Sequence, residues 1–280
     1  LQLQTFKRHT MQPVAFISGA SSGIGMETAR LLAQNGYTVY GAARRVDRMD
    51  ALKPYGVKTI GMDVVDDRSM SKAIDEILAN EGRIDILINN AGFGFYGAIE
   101  NVSMSDARYQ MEVNVFGTAR LTQLVLPGMR ERRFGKIVNI SSIAGKMATP
   151  FGGWYHASKF AIEGLSDSLR NEVKPFGIDV ILIEPGGIAT EWSSIAFDNL
   201  NKSCEHSAYK EAAIKFSTAF QKTTHKHSDP AVIARLILRA IEAKHPKARY
   251  AAGYMAKSTL WMRRWLSDKV IDFLFLKLLK

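Results

Sequence analysis

The chain has 280 residues, 46% hydrophobic and 23% charged, which excludes a disordered protein and leaves one or two globular domains. Net charge is +10, but nine basic residues against two acidic ones fall between Lys244 and Lys280; a surplus confined to one segment argues against a nucleic-acid-binding surface. The single cysteine, Cys204, allows no intrachain disulfide and reads as an idle thiol, so the expected compartment is reducing and cytoplasmic. Residues 1–10, LQLQTFKRHT, lack the apolar core of a signal peptide and read as a leader ahead of a natural start at Met11.

In chain order, Val14–Ile17 is a short apolar run and predicts the first strand. Ile24, Thr28, Leu31 and Leu32 then recur at helical spacing. Tyr37–Ala42 and Val57–Met62 read as strands two and three, Ser69–Leu78 as an amphipathic helix, and Ile84–Ile88 as strand four. A long helical stretch covers about 103–132, Lys136–Ile140 is strand five, Tyr155–Val173 a helix and Ile178–Ile183 strand six. Strands alternating with helices, each strand a near-continuous apolar run, predict an α/β fold: a Rossmann-type doubly wound parallel sheet. The absence of a linker-like break predicts a single domain over 11–250. Within it, 190–228 is a mixed segment of short helices, with Trp192, Phe197, Phe216 and Phe220, lying as a lid over an opening. Asp229-Pro230 is a helix start, and 251–280 is a basic amphipathic C-terminal extension.

Gly19, Gly23 and Gly25 sit where strand one turns into a helix. Glycine lets main chain approach a ligand, and the helix start offers unpaired N–H groups, so Ser21, Ser22 and Ile24 with these glycines predict a pyrophosphate cradle. Strand two ends in Gly41-Ala42-Ala43-Arg44-Arg45. An acid there would bind ribose hydroxyls; two guanidiniums suit a 2′-phosphate, so the expected cofactor is NADP(H). Tyr155 and Lys159 are four apart on a helix and share a face. An ammonium beside a phenol lowers its pKa, which would tune Tyr155 for proton transfer.

Ser18-Gly19-x-x-x-Gly23-x-Gly25, Asp63-Val64, Asn89-Asn90-Ala91-Gly92, Asn114, Ser142, Tyr155-x-x-x-Lys159 and Pro185-Gly186-x-x-x-Thr190 follow one another in an order that resembles the short-chain dehydrogenase/reductase family, with Ser18 where the family usually has threonine. The resemblance implies that Asp63 and Val64 border the adenine, and that Asn90, Ala91 and Gly92 line the cofactor. Pro185, Gly186, Ile188 and Thr190 would hold its nicotinamide end. Asn114 would kink its helix and hold a water of a proton relay. Tyr155 would exchange a proton with substrate, Ser142 steady the substrate oxygen, and Lys159 hold the nicotinamide ribose. It also implies a homo-oligomer, paired through the helices near 103–132 and 155–173.

Phe93, Phe95, Tyr96, Met147, Phe151, Trp154, Trp192 and Phe197 predict an apolar pocket for a lipophilic small molecule. Similar sequences include hydroxysteroid dehydrogenases, retinol dehydrogenases and acyl-dihydroxyacetone-phosphate reductases, and a reducing cell favours carbonyl reduction. Retained fold without turnover would instead make the chain an NADP-binding sensor or a membrane-surface scaffold; the full set Asn114, Ser142, Tyr155 and Lys159 argues for an enzyme. His156 reads as a packing or surface residue rather than a catalytic one, and His225 and His227 as a surface loop; no metal site is expected. The segment 258–280 carries too many charges to span a membrane. Its Trp and Phe beside Arg and Lys fit an interfacial helix, a cover for the cleft or a subunit contact.

Overall fold

A computed structural model describes residues 12–279; the leader expected at 1–10 lies outside the described residues. Seven strands form one parallel sheet: β1 (Val14–Ser18), β2 (Thr38–Ala43), β3 (Lys58–Gly61), β4 (Ile86–Asn89), β5 (Gly135–Ile140), β6 (Ile178–Pro185) and β7 (Arg249–Ala252), in the order 3-2-1-4-5-6-7. The helices are α1 (Gly23–Gln34), α2 (Asp67–Glu81), α3 (Met104–Met111), α4 (Gly117–Arg132), α5 (Gly153–Val173), α6 (Trp192–Cys204), α7 (Lys210–Gln221), α8 (Pro230–Glu242), α9 (Ala256–Trp265) and α10 (Asp268–Leu279).

Strand β1 shows why the apolar runs are continuous. All five of its residues are buried, with Val14 and Phe16 entering one core and Ala15 and Ile17 the other. Alternate side chains point to opposite faces, and here both faces are covered. α1 and α8 pack together over one face; α2, α4 and α5 supply the other. Strand order reverses between β1 and β4, which opens a crevice at their carboxyl ends.

A buried polar chain fixes the strands that feed this crevice. Asn89 Nδ2 donates to Thr122 Oγ1 (3.1 Å) on α4 and to Asn139 Oδ1 (2.9 Å) on β5, and Asn139 Nδ2 donates to Ser166 Oγ (2.9 Å) on α5. These bonds tie β4 and β5 to α4 and α5 in one register, while the buried Asn89 Oδ1 has no partner among the described residues.

Two elements differ from the sequence expectations. β7 lacks an apolar run: it reads Arg-Tyr-Ala-Ala, is only half-buried and pairs along one edge with β6. The long helix near 103–132 takes a π-type turn at Glu112–Phe116, at the Asn114 where the family resemblance implies a kink. The C-terminal extension is two helices rather than one, separated at Leu266-Ser267, and among the described residues no helix is long and apolar enough to cross a membrane.

Candidate active site

The crevice is a cleft of about 750 Å³. At one end Gly19 holds φ +70°, and a Cβ there would stand 2.8 Å from Ala91 Cα. The backbone therefore turns where a side chain could not fit. The N-terminus of α1 has no side-chain cap, and Ser21, Ser22, Gly23 and Ile24 face the cleft from it. Open N–H groups at a helix start match a pyrophosphate, so the residues fit a dinucleotide. Gly25 lines nothing; a Cβ there would collide with the Gly19 carbonyl and the Asn90 amide, so its smallness lets the turn close.

Ser18 explains its own substitution. Its hydroxyl accepts from the backbone N–H of Asn90 and of Ala91, both at 3.1 Å, while Asn90 Nδ2 donates to the carbonyls of Ser18 and Gly19 at 3.1 and 3.0 Å. This clasp needs a hydroxyl and no methyl. Asn90, Ala91 and Gly92 line the cleft beside it, and Asp63 and Val64 line it farther along. Arg44 and Arg45 also line it; Arg44 donates to the Tyr109 hydroxyl at 2.7 Å, and neither arginine is paired with a carboxylate among the described residues. Arg48 makes an exposed ion pair with Glu191 (2.9 Å), at the start of the lid.

At the other end Ser142, Tyr155, Lys159, Pro185, Gly186, Ile188 and Thr190 come together. Ser142 caps a short turn, accepting from Ala144 N (3.1 Å). Lys159 Nζ donates to Ile140 O (2.8 Å) and stands 5.8 Å from the centre of the Tyr155 ring. Asn114 does not line the cleft. From its π-type turn it accepts from Phe93 N (3.0 Å) and donates to Phe93 O (2.9 Å) and Ser158 Oγ (2.9 Å), strapping the loop after β4 to α5.

The electrostatics run opposite to the sequence expectation for the phenol. Burial pushes Tyr155 up to about 12, with a hydrogen bond to Ser142 pulling it back. Burial pushes Lys159 down to about 8, opposed by Glu163. The amine is held by a backbone carbonyl in a dry site, where its own charge is penalised, so it does not outweigh the desolvation of the phenolate. At neutral pH Tyr155 keeps its proton.

An aromatic wall encloses that phenol. Trp192 lies 4.9 Å from Tyr155 between ring centres, and Tyr96 lies 5.9 Å from it and 5.8 Å from Trp192. Of the predicted apolar lining, Phe93, Tyr96, Met147, Trp192 and Phe197 face the cleft; Phe95, Phe151 and Trp154 do not. Phe151 packs behind it against Tyr209 and Phe216 of the lid. Gly94, where a Cβ would collide with the Trp192 indole, and Ile143 line the cleft without belonging to any motif, and Phe220 of the expected lid faces it as well. The repeated glycine in Gly92-Phe93-Gly94 was the available signal.

His156 is buried. Its Nε2 accepts from Thr149 N (2.9 Å), which leaves Nδ1 to donate to Ala144 O (3.0 Å), so the ring pins the 144–149 loop. His227 is half-buried against Gly187 and lines the cleft rather than lying in a surface loop. Among the described residues no cluster could hold a metal ion. Cys204 is buried in the lid.

Beneath the site lies an ionic cluster. Glu163, one turn beyond Lys159, receives Lys146 (2.6 Å) and Arg249 (3.0 Å); Glu184, just before Pro185, lies 3.4 Å from Arg249. Burial first, and the Glu163 charge second, raise the Glu184 carboxyl toward neutrality. Arg249 also binds Asp167 (2.7 Å), so one guanidinium from β7 ties two turns of α5 to β6.

A doubly wound sheet with a dinucleotide cradle and a Ser–Tyr–Lys cluster defines a nicotinamide-dependent oxidoreductase, and the chain belongs to the short-chain dehydrogenase family, whose sequence model matches residues 13–201. It is 35% identical to a 3-ketodihydrosphingosine reductase from Bacteroides thetaiotaomicron over 94% of this chain and 97% of that one. It is 33% identical to an NADPH-dependent 3-dehydrocapnine reductase from Ornithobacterium rhinotracheale over 95% and 97%. A solved short-chain dehydrogenase from Streptomyces avermitilis is similar at TM-score 0.77 and 32% identity, over 95% and 96% of the two chains.

Proposed function

We propose that the protein reduces a ketone carried on a long apolar chain, using NADPH. One observation carries this reading: the Tyr155 phenol stands beside the Ser142 hydroxyl, buried in an aromatic wall that raises its pKa and so favours the protonated form. A protonated acid suits reduction, and the wall suits a lipophilic substrate better than a sugar. The names of the Bacteroides and Ornithobacterium relatives, both keto-group reductases, favour this over the steroid and retinoid alternatives.

NADPH supplies the hydride when bound. Tyr155 gives its proton to the carbonyl oxygen as that oxygen gains charge, and Ser142 donates a hydrogen bond to the same atom. The Lys159 ammonium favours the phenolate left behind and reaches the nicotinamide ribose. Asn114 keeps Phe93 in place beside the cleft and ties it to α5. Trp192 keeps water off the phenol. Arg44 and Arg45, which line the cleft, would hold the 2′-phosphate. Exposed Phe116, Phe160 and Leu165, near α4 and on α5, support a homo-oligomer.

Two measurements test this. A panel of long-chain keto-lipids, steroids, retinal and sugars is expected to oxidise NADPH with the keto-lipids; turnover of hydrophilic carbonyls alone would refute the reading. Replacing Arg44 and Arg45 together with alanine is expected to raise KM for NADPH about tenfold or more, with KM for NADH little changed. Equal effects on both cofactors would refute the phosphate role.

A further inference from the structure

α9 and α10 present an apolar face that the rest of the described chain leaves uncovered. Trp261 and Trp265, one turn apart on α9, are 59% and 64% exposed, and Phe273 on α10 is 59% exposed beside Val270 and Leu274. Ile271 on α10 is buried, so this helix is apolar on its outer face as well as its inner one. A single exposed leucine needs no cause; two tryptophans and a phenylalanine on consecutive helices do.

The cations on this face point to its occupant. The Arg264 guanidinium stands 5.4 Å from the Trp265 ring centre and the Lys277 ammonium 5.5 Å from that of Phe273. Lys257, Arg263 and Lys269 add to them, against Asp268, which pairs with Arg263 (2.7 Å), and Asp272. Aromatic bodies with cationic tips beside them match the boundary between acyl chains and anionic headgroups. A second copy of the face is a poor match, because a two-fold contact would set this positive surface against itself. Among the described residues α10 is 12 residues, about 18 Å, shorter than the about 30 Å of bilayer hydrocarbon.

We propose that the α9–α10 face docks on an anionic lipid surface. α10 packs on α7, and α7 carries Phe220, which lines the cleft, so docking sets the lid against the bilayer. Delivery of a lipophilic ketone through that lid rests on the function proposed above; the docking itself rests on the face alone.

The test is co-sedimentation of the full chain with vesicles of phosphatidylcholine, and of phosphatidylcholine with about one-third phosphatidylglycerol. Association with the anionic vesicles is expected to be at least about tenfold stronger and to weaken with salt. Replacing Trp261, Trp265 and Phe273 together with serine is expected to abolish it while NADPH oxidation with a short, water-soluble ketone is unchanged. Equal binding to both vesicles, or full binding by the triple variant, overturns the proposal. So does a lipid-free dimer, seen by sedimentation velocity, that the triple variant loses. Anionic-vesicle binding without turnover of any keto-lipid would sustain the docking face and sink the substrate reading.

Discussion

Tyr155→Phe is expected to lower kcat for carbonyl reduction by about 10²- to 10⁴-fold, the usual contribution of a positioned proton donor. The substitution keeps the ring that packs against Trp192 and Tyr96, so the aromatic wall survives and only the hydroxyl is lost. NADPH binding, followed by quenching of protein fluorescence, should therefore stay within a few-fold of the parent, which separates a chemical defect from a folding one. Loss of binding together with loss of turnover would make the phenol structural. Ser142→Ala should fall in the same direction by a smaller factor, since it removes one hydrogen bond to the reacting oxygen and the proton donor remains.

Arg249→Met is expected to destabilise the fold by about 3 kcal/mol at pH 8, a fall of several degrees in Tm. The guanidinium faces Glu163 and Glu184, which are 4% and 3% exposed, and without it the two carboxylates share Lys146 alone. The sign with pH follows. Glu184 has a raised pKa in the folded chain, so the folded state binds more protons than the unfolded one between the ordinary carboxylate value of 4.5 and about 7. Stability from this group accordingly declines as pH rises through that window. In Arg249→Met the decline should steepen, and adding Glu184→Gln should recover part of the loss. Thermal unfolding across pH checks this; a variant equally unstable at pH 5 and 8 would show that packing, not charge, is what Arg249 supplies.

Most of the architecture is legible in the residues because burial on both faces writes each central strand as an unbroken apolar run. Val14 and Ala15 belong to opposite cores, and neither tolerates a polar side chain. β7 escapes that rule: an edge strand needs no second apolar face, and its Arg249 serves the ionic cluster instead. Helical spacing hides the turn at Asn114, because a π-type interruption leaves the period nearly intact; the family motif is what marks that residue as a bend. The cleft residues were found where a motif fixed their spacing. Gly94 and Ile143 lie outside those motifs, and the place of His227 is set by the lid folding back from a distance in sequence. Tyr155 shows the same limit: spacing brings Lys159 close, but only the packed aromatic wall shows how much water the phenol loses, and that burial raises its pKa.

The pH dependence of kcat/KM in the two directions tests the proton-donor assignment most directly. A donor that holds its proton to about 12, beside a lysine that loses its own near 8, predicts reduction that is flat through the neutral range and falls above about pH 8, with alcohol oxidation rising over the same interval. Reduction that instead climbs as pH rises through neutrality would require a deprotonated group as its essential partner and would contradict the role given to Tyr155.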